Sequence, residues 1–196
     1  MWYQLTRPFA FQKIQNRDLR FMRTVVPLVI TFFLLAVYLV LPVRPSIIGD
    51  KKYLDYLLQI VGILPGFYIA ALAAAATFNN PSLDEPMPGR DAPHLDVQRG
   101  GEVFSVTMTM RVFICHLFSY LSALSFLTAI LTLAIIEIAP SVDYVEANHS
   151  GWLVNVLLAL MRYGAVYVVT FYFARIILVT LHGLYFLVER MHQANR

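Results

Sequence analysis

Residues able to do chemistry are few in this chain and are set far apart in apolar sequence. Arg162 is the sharpest of them, because it lies inside the apolar region 152–188. A charge at membrane depth is costly unless it is paired or hydrated. Arg162 therefore either snorkels outward in a register that starts the fourth span at 163, attracts anions from a ring around an oligomer axis, pairs with Glu137, or is satisfied by Tyr120, Tyr163, Tyr167 or a water-filled axis. Ser119, Ser122, Ser125, Thr128 and Thr132 follow one another at helical spacing and share a helix face. Such hydroxyls line a pore, or else bond back to their own helix and glue neighbouring helices together. His116 is a candidate for titration near neutrality, or for a hydrogen bond within the helix packing. Asp84, Glu85, Arg90, Asp91, His94, Asp96 and Arg99 crowd one proline-rich segment. One histidine among separated carboxylates is a poor metal site, so no metal or cofactor is expected. The segment is either a mobile linker or a docking site for a cytoplasmic partner protein.

The elements that must position these residues are set by hydrophobicity. Of 196 residues, 59% are hydrophobic and 14% charged, against about 25% charged in a soluble domain. Uncharged stretches long enough to cross a bilayer predict an all-α membrane protein, a bundle of four transmembrane helices. The reading divides the chain into a basic, aromatic segment at 1–23, spans at 24–43 and 56–78, and a proline-rich loop at 79–101. A third span with a helical extension follows at 102–139, and a fourth with its own extension at 151–190. With both termini inside, eleven Lys and Arg lie on the inner side and three on the outer, so the positive-inside rule places N and C termini in the cytoplasm. The inner loop and the two extensions then project into the cytoplasm. The basic residues and aromatics of 1–23, Phe9 and Phe11 among them, suit an anchor on anionic lipid, and nucleic-acid binding is not expected. Cys115 is the one cysteine, so no intrachain disulfide forms.

Depth along the helices refines the picture. If spans three and four are continuous and meet at a turn over 140–151, Arg111 and Arg175 come close to one plane at the inner headgroups, with Arg23 as a third anchor. Arg162 then lies about 15 Å below Trp152, near the midplane. The apolar stretch beyond Arg175 would need cover from the approach to span three, the N-terminal segment or a partner. In a second register the fourth span is 163–188, and 152–161 lies along the outer surface.

Gly62, Gly66, Ala70 and Ala74 recur every four residues in span two, a small-residue ridge of the kind that lets helices approach closely. Its partner is either a helix of the same chain or another subunit. The sequence holds no G-x-S-x-G, H-E-x-x-H or phosphate-loop motif, and an enzyme is not expected.

As architecture, over 25–188, four spans with a proline-rich inner loop and cytoplasmic helix extensions resemble the KwaA family, the membrane subunits of the two-gene Kiwa anti-phage system of bacteria. The resemblance rests on that plan and on no motif. It implies a homo-oligomeric inner-membrane sensor that holds a cytoplasmic, DNA-binding effector, KwaB. The expectation is therefore a non-enzymatic sensor or scaffold that recruits a cytoplasmic effector protein. The alternative is a gated pore or membrane-disrupting effector built on Arg162 and the hydroxyl face.

Overall fold

The computed structural model describes residues 8–9, 11, 21–42, 52–77, 79, 81–86, 94–99, 102–148 and 151–193. A π-helical turn, Phe21–Val25, leads into α1 (Val26–Val40). α2 (Tyr53–Thr77) is followed by a short 3-10 turn, Pro81–Leu83, and by strands β1 (His94–Arg99) and β2 (Glu102–Thr107). α3 (Met110–Asn148) and α4 (Trp152–Gln193) complete the chain. Among the described residues four helical stretches are long and apolar enough to cross a membrane: Arg23–Val40, which is α1 with the end of the π-helical turn, Tyr53–Thr77, Met110–Asn148 and Trp152–Tyr185.

The proline positions explain where these helices run on. Pro27 stands in the first turn of α1, where a missing N–H costs nothing. Thr31 bonds back to the Pro27 carbonyl at 2.7 Å. Pro65 lies inside α2 and Pro140 inside α3. The sequence reading ends span three at Pro140; the helix instead continues to Asn148. A proline frees one carbonyl, and an apolar setting with neighbouring helices gives the chain no better alternative than to stay helical.

At the other end of α3 the correction is of the opposite kind. The stretch 102–109, read as a helical approach, forms β2 and the turn into α3. Val103, Phe104, Val106 and Thr107 favour extended backbone, and β2 pairs antiparallel with β1, Arg99 opposite Glu102 and His94 opposite Thr107. A further bridge joins Pro86 to Thr109. The helical extension of α3 is thus shorter than expected and the hairpin takes its place.

α3 is the central helix. α2 packs along it, α4 packs antiparallel to it, and α1 packs on α4. One core cluster joins Phe11, Tyr68, Met108, Phe113, Leu117, Tyr120, Leu121, Leu124, Ile176 and Val179. A second joins Leu54, Leu57, Val61 and Val169. Ile176 and Val179, beyond Arg175, are buried in the same core cluster as Phe11 and Met108, whereas Ile177, Leu181 and Leu184 on the same stretch stay exposed. Phe11 itself is 1% exposed, so it is a core residue and not the lipid anchor expected of it.

The registers between helices come from a few contacts. Gly183 of α4 lies against Leu117 of α3, so closely that a Cβ there would sit 2.5 Å from Leu117 Cδ2. Tyr68 of α2 stacks on Phe118 at 6.2 Å, and Tyr38 of α1 meets Tyr163 at 6.4 Å. Together these place α1 nearer the α3–α4 turn than α2, by about 20 Å of helix.

Candidate functional site

Two polar centres stand at the ends of the bundle, with a third inside it. At the hairpin end, Arg111 in the first turn of α3 forks onto Asp84, Nε to Oδ1 at 2.7 Å and Nη2 to Oδ2 at 3.0 Å. Its Nη1 donates to the Ala75 carbonyl at 3.0 Å. The C-terminal carbonyls of a helix have no partner within the helix and carry its negative dipole end, so a guanidinium is well placed there. One side chain thereby ties α2, the segment after it and α3 together. The bidentate contact holds the Asp84 carboxyl below the usual carboxylate range.

Of the docking candidates, Asp84 is therefore occupied within the chain, while Glu85 is exposed. His94, Asp96 and Arg99 lie on β1. Arg90 and Asp91 fall outside the described residues.

At the turn end, Arg162 forms ion pairs with Asp143 and, at 3.8 Å, with Glu146. The sequence reading assigned both carboxylates to an outer loop and offered Glu137 as partner. Because α3 continues through Pro140, Asp143 and Glu146 ride on helix above the level of Arg162, whose flexible stem reaches toward the turn. Glu137 is exposed and forms no ion pair among the described residues. The same continuation removes the common plane of Arg111 and Arg175. With the turn at residue 151 and the register set by Leu117 and Gly183, the two lie about 20 Å apart along the bundle.

The hydroxyl series faces inward. Ser125, Thr128 and Thr132 are at most 1% exposed and Ser122 7%, and Ser119 is half-buried. Thr128 and Thr132 bond back to the carbonyls of Leu124 and Thr128, each at 2.7 Å. This face is closed over by the chain's own helices. His116 bonds to the Val112 carbonyl of its own helix at 2.8 Å.

Two hydroxyl pairs bind α2 to α4 and were not legible as pairs: Tyr53 with Thr170 at 2.9 Å and Tyr68 with Thr180 at 2.6 Å. The third polar centre lies near the second of these. Arg23 is buried and donates from Nη1 to the Phe11 carbonyl at 3.1 Å. Phe11 stacks on Tyr120 at 5.3 Å, and the Arg175 guanidinium lies 5.6 Å from the centre of that tyrosine ring.

Among the described residues the small-residue ridge packs on nothing. Gly62, Gly66, Ala70 and Ala74 are all exposed, and a Cβ built on either glycine would meet no atom within 4 Å. The glycine that permits close approach is Gly183, which no motif marked.

No known protein family, curated protein or solved structure matches the chain. The functional reading therefore rests on this geometry.

Proposed function

We propose that the chain is an oligomeric, non-enzymatic scaffold of the bacterial inner membrane, both termini cytoplasmic, that presents its hairpin end to a soluble effector protein. In this reading it is a sensor in anti-phage defence, as its likeness in plan to the KwaA family suggests. The observation that carries the proposal is the anchoring of the hairpin end. The fork of Arg111 onto Asp84 and α2, with the Pro86–Thr109 bridge, mounts the polar segment on the central helix. Holding residues 84–86 and Thr109, at the two ends of that segment, to α3 lowers the ordering entropy that docking of a partner would cost.

The stagger of α1 and α2 supports embedding in a tilted pose. A bilayer core of about 30 Å contains both helices when the bundle leans by about 40°, given helix spacings of 8–10 Å between α1 and α2 across the α3–α4 pair. At that lean a crossing takes about 26 residues of helix, close to the uncharged stretch 112–136 of α3. Arg162 with its carboxylates then meets the outer interface. The bare ridge of Gly62, Gly66, Ala70 and Ala74 is the surface on which a second copy packs, since small residues let helix backbones approach within lipid.

Purification of the tagged protein from its native cell in mild detergent, with the mass of the oligomer and of bound proteins, tests this. Replacing 87–107 by a glycine-serine linker of equal length is expected to remove a stoichiometric soluble partner and leave the oligomer mass unchanged. An oligomer that captures no soluble protein would sink the scaffold reading. Gly66→Leu is expected to lower the oligomer mass with helical content preserved.

A further inference from the structure

Arg175 carries a charge that the described residues do not neutralise. It forms no hydrogen bond and no ion pair among them. Its Nε is buried without a partner, whereas its two Nη atoms are not buried, so the fork opens at the surface of the bundle. The guanidinium meets the ring of Tyr120, 5.6 Å from its centre. Cation–π attraction offsets only part of the cost of taking an arginine out of water.

Packing fixes the depth of this group. With Leu117 of α3 against Gly183 of the antiparallel α4, Arg175 stands level with Ser125, the middle of the uncharged stretch 112–136. Its stem leans toward the hairpin end, yet at Tyr120 the guanidinium is still about 12 Å of helix inside Val112. A cation open to lipid at that level needs an opposite charge at the same depth. The described carboxylates of this chain do not supply it. Asp84 is held by Arg111, and Asp143 and Glu146 pair with Arg162. Asp55 of α2, placed by the stacking of Tyr68 on Phe118, lies about 16 Å of helix from the level of Tyr120, and Glu137 about 25 Å. A second copy in the same membrane carries these acids at the same depths and fails for the same reason.

The face of α4 that bears Arg175 has the form of a helix-binding surface. Leu157, Gly164, Val168 and Arg175 follow at steps of seven, four and seven residues, which sets them on one side of the helix. Leu157, Gly164 and Val168 are exposed, and a Cβ built on Gly164 would meet no atom within 4 Å.

We propose that this face of α4 docks a transmembrane helix of a different membrane protein, whose Asp or Glu carboxylate receives Arg175 within the bilayer. Arginine suits this role because its planar fork takes a carboxylate through two parallel hydrogen bonds. Neither charge is stable alone in lipid, so the pair selects its partner. The partner's acid stands about 12 Å of helix inside the hairpin-side end of its span, and its backbone comes closest to α4 at Gly164. The proposal rests on membrane embedding and not on the scaffold reading.

The test places a photoreactive amino acid at Val168 of the full-length protein in its native cell. Irradiation is expected to give an adduct with a membrane protein of different sequence that has Asp or Glu within a span. Arg175→Gln should lower the adduct yield at least tenfold, and Arg175→Lys should keep part of it. Changing the partner's acid to its amide should lower the yield as much as Arg175→Gln does. Adducts with lipid or a second copy alone, an adducted protein without an acid in its spans, or an unchanged yield in Arg175→Gln overturns the proposal. If Arg175→Gln does not accumulate, the amide substitution in the partner decides, because it leaves this chain intact. Resistance of the protein to carbonate extraction reports embedding separately, and effector capture at the hairpin end reports the scaffold reading.

Discussion

The two ends of the α3–α4 pair are held together by different physics. Toward the hairpin end, Gly183 lets Leu117 press against α4, and both belong to a closed interior lined by Phe113, Tyr120 and Ile176. Toward the turn, Trp152, Leu153, Val156, Leu157, Leu160 and Met161 are exposed on α4. There the charges of Arg162, Asp143 and Glu146 join the two helices. Packing energy depends on volume and is indifferent to salt, whereas ion pairs at partly exposed positions are modest and screened. One helical hairpin thus has a rigid half and an electrostatically tied half.

The largest change should come from the packed half. Leu117→Ala empties a fully buried site and is expected to cost about 2–5 kcal/mol, read as a lower unfolding midpoint in detergent. Gly183→Leu tests the same contact from the other side and should cost about 1–3 kcal/mol by overpacking. If either substitution is silent, the close approach of α3 and α4 is not what holds this half together. Arg162→Gln at the turn end should cost only about 0.2–1 kcal/mol, and raising the salt should narrow the gap between wild type and variant. A loss as large as that of Leu117→Ala would erase the contrast between the halves.

The smallest effect concerns pH at Asp84. Its carboxyl is held below its ordinary value by Arg111. The contribution of the fork is therefore fully present above the unfolded carboxylate pKa of about 3.9, and is lost as pH falls through the lowered folded value. A thermal series below pH 4 should show a steeper acid-dependent fall in wild type than in Asp84→Asn, because the variant has no carboxyl to protonate at that position.

Much of this was legible in the sequence, for reasons that also explain what was not. The four spans follow from uncharged length, a local and additive property that no neighbour can cancel. Pairing between helices requires a register, and register is not local. That Arg162 would find Asp143 depended on whether α3 survives Pro140, and the proline by itself reads as a stop. The ridge at Gly62 and Gly66 was visible as spacing, but spacing does not say which side of α2 meets α3. Gly183 lay in no repeat and left no sign.

The sequence alone determined that this chain forms four membrane-length helices, each built on a long stretch with few or no charges, because burying charge in lipid is costly for every arrangement of the helices. Only the tertiary structure decided which arginine meets a carboxylate and which meets an aromatic ring, and which glycine is covered. Those outcomes depend on the stagger and facing of helices whose surfaces are all apolar, and lipid is nearly indifferent to which of those surfaces it touches.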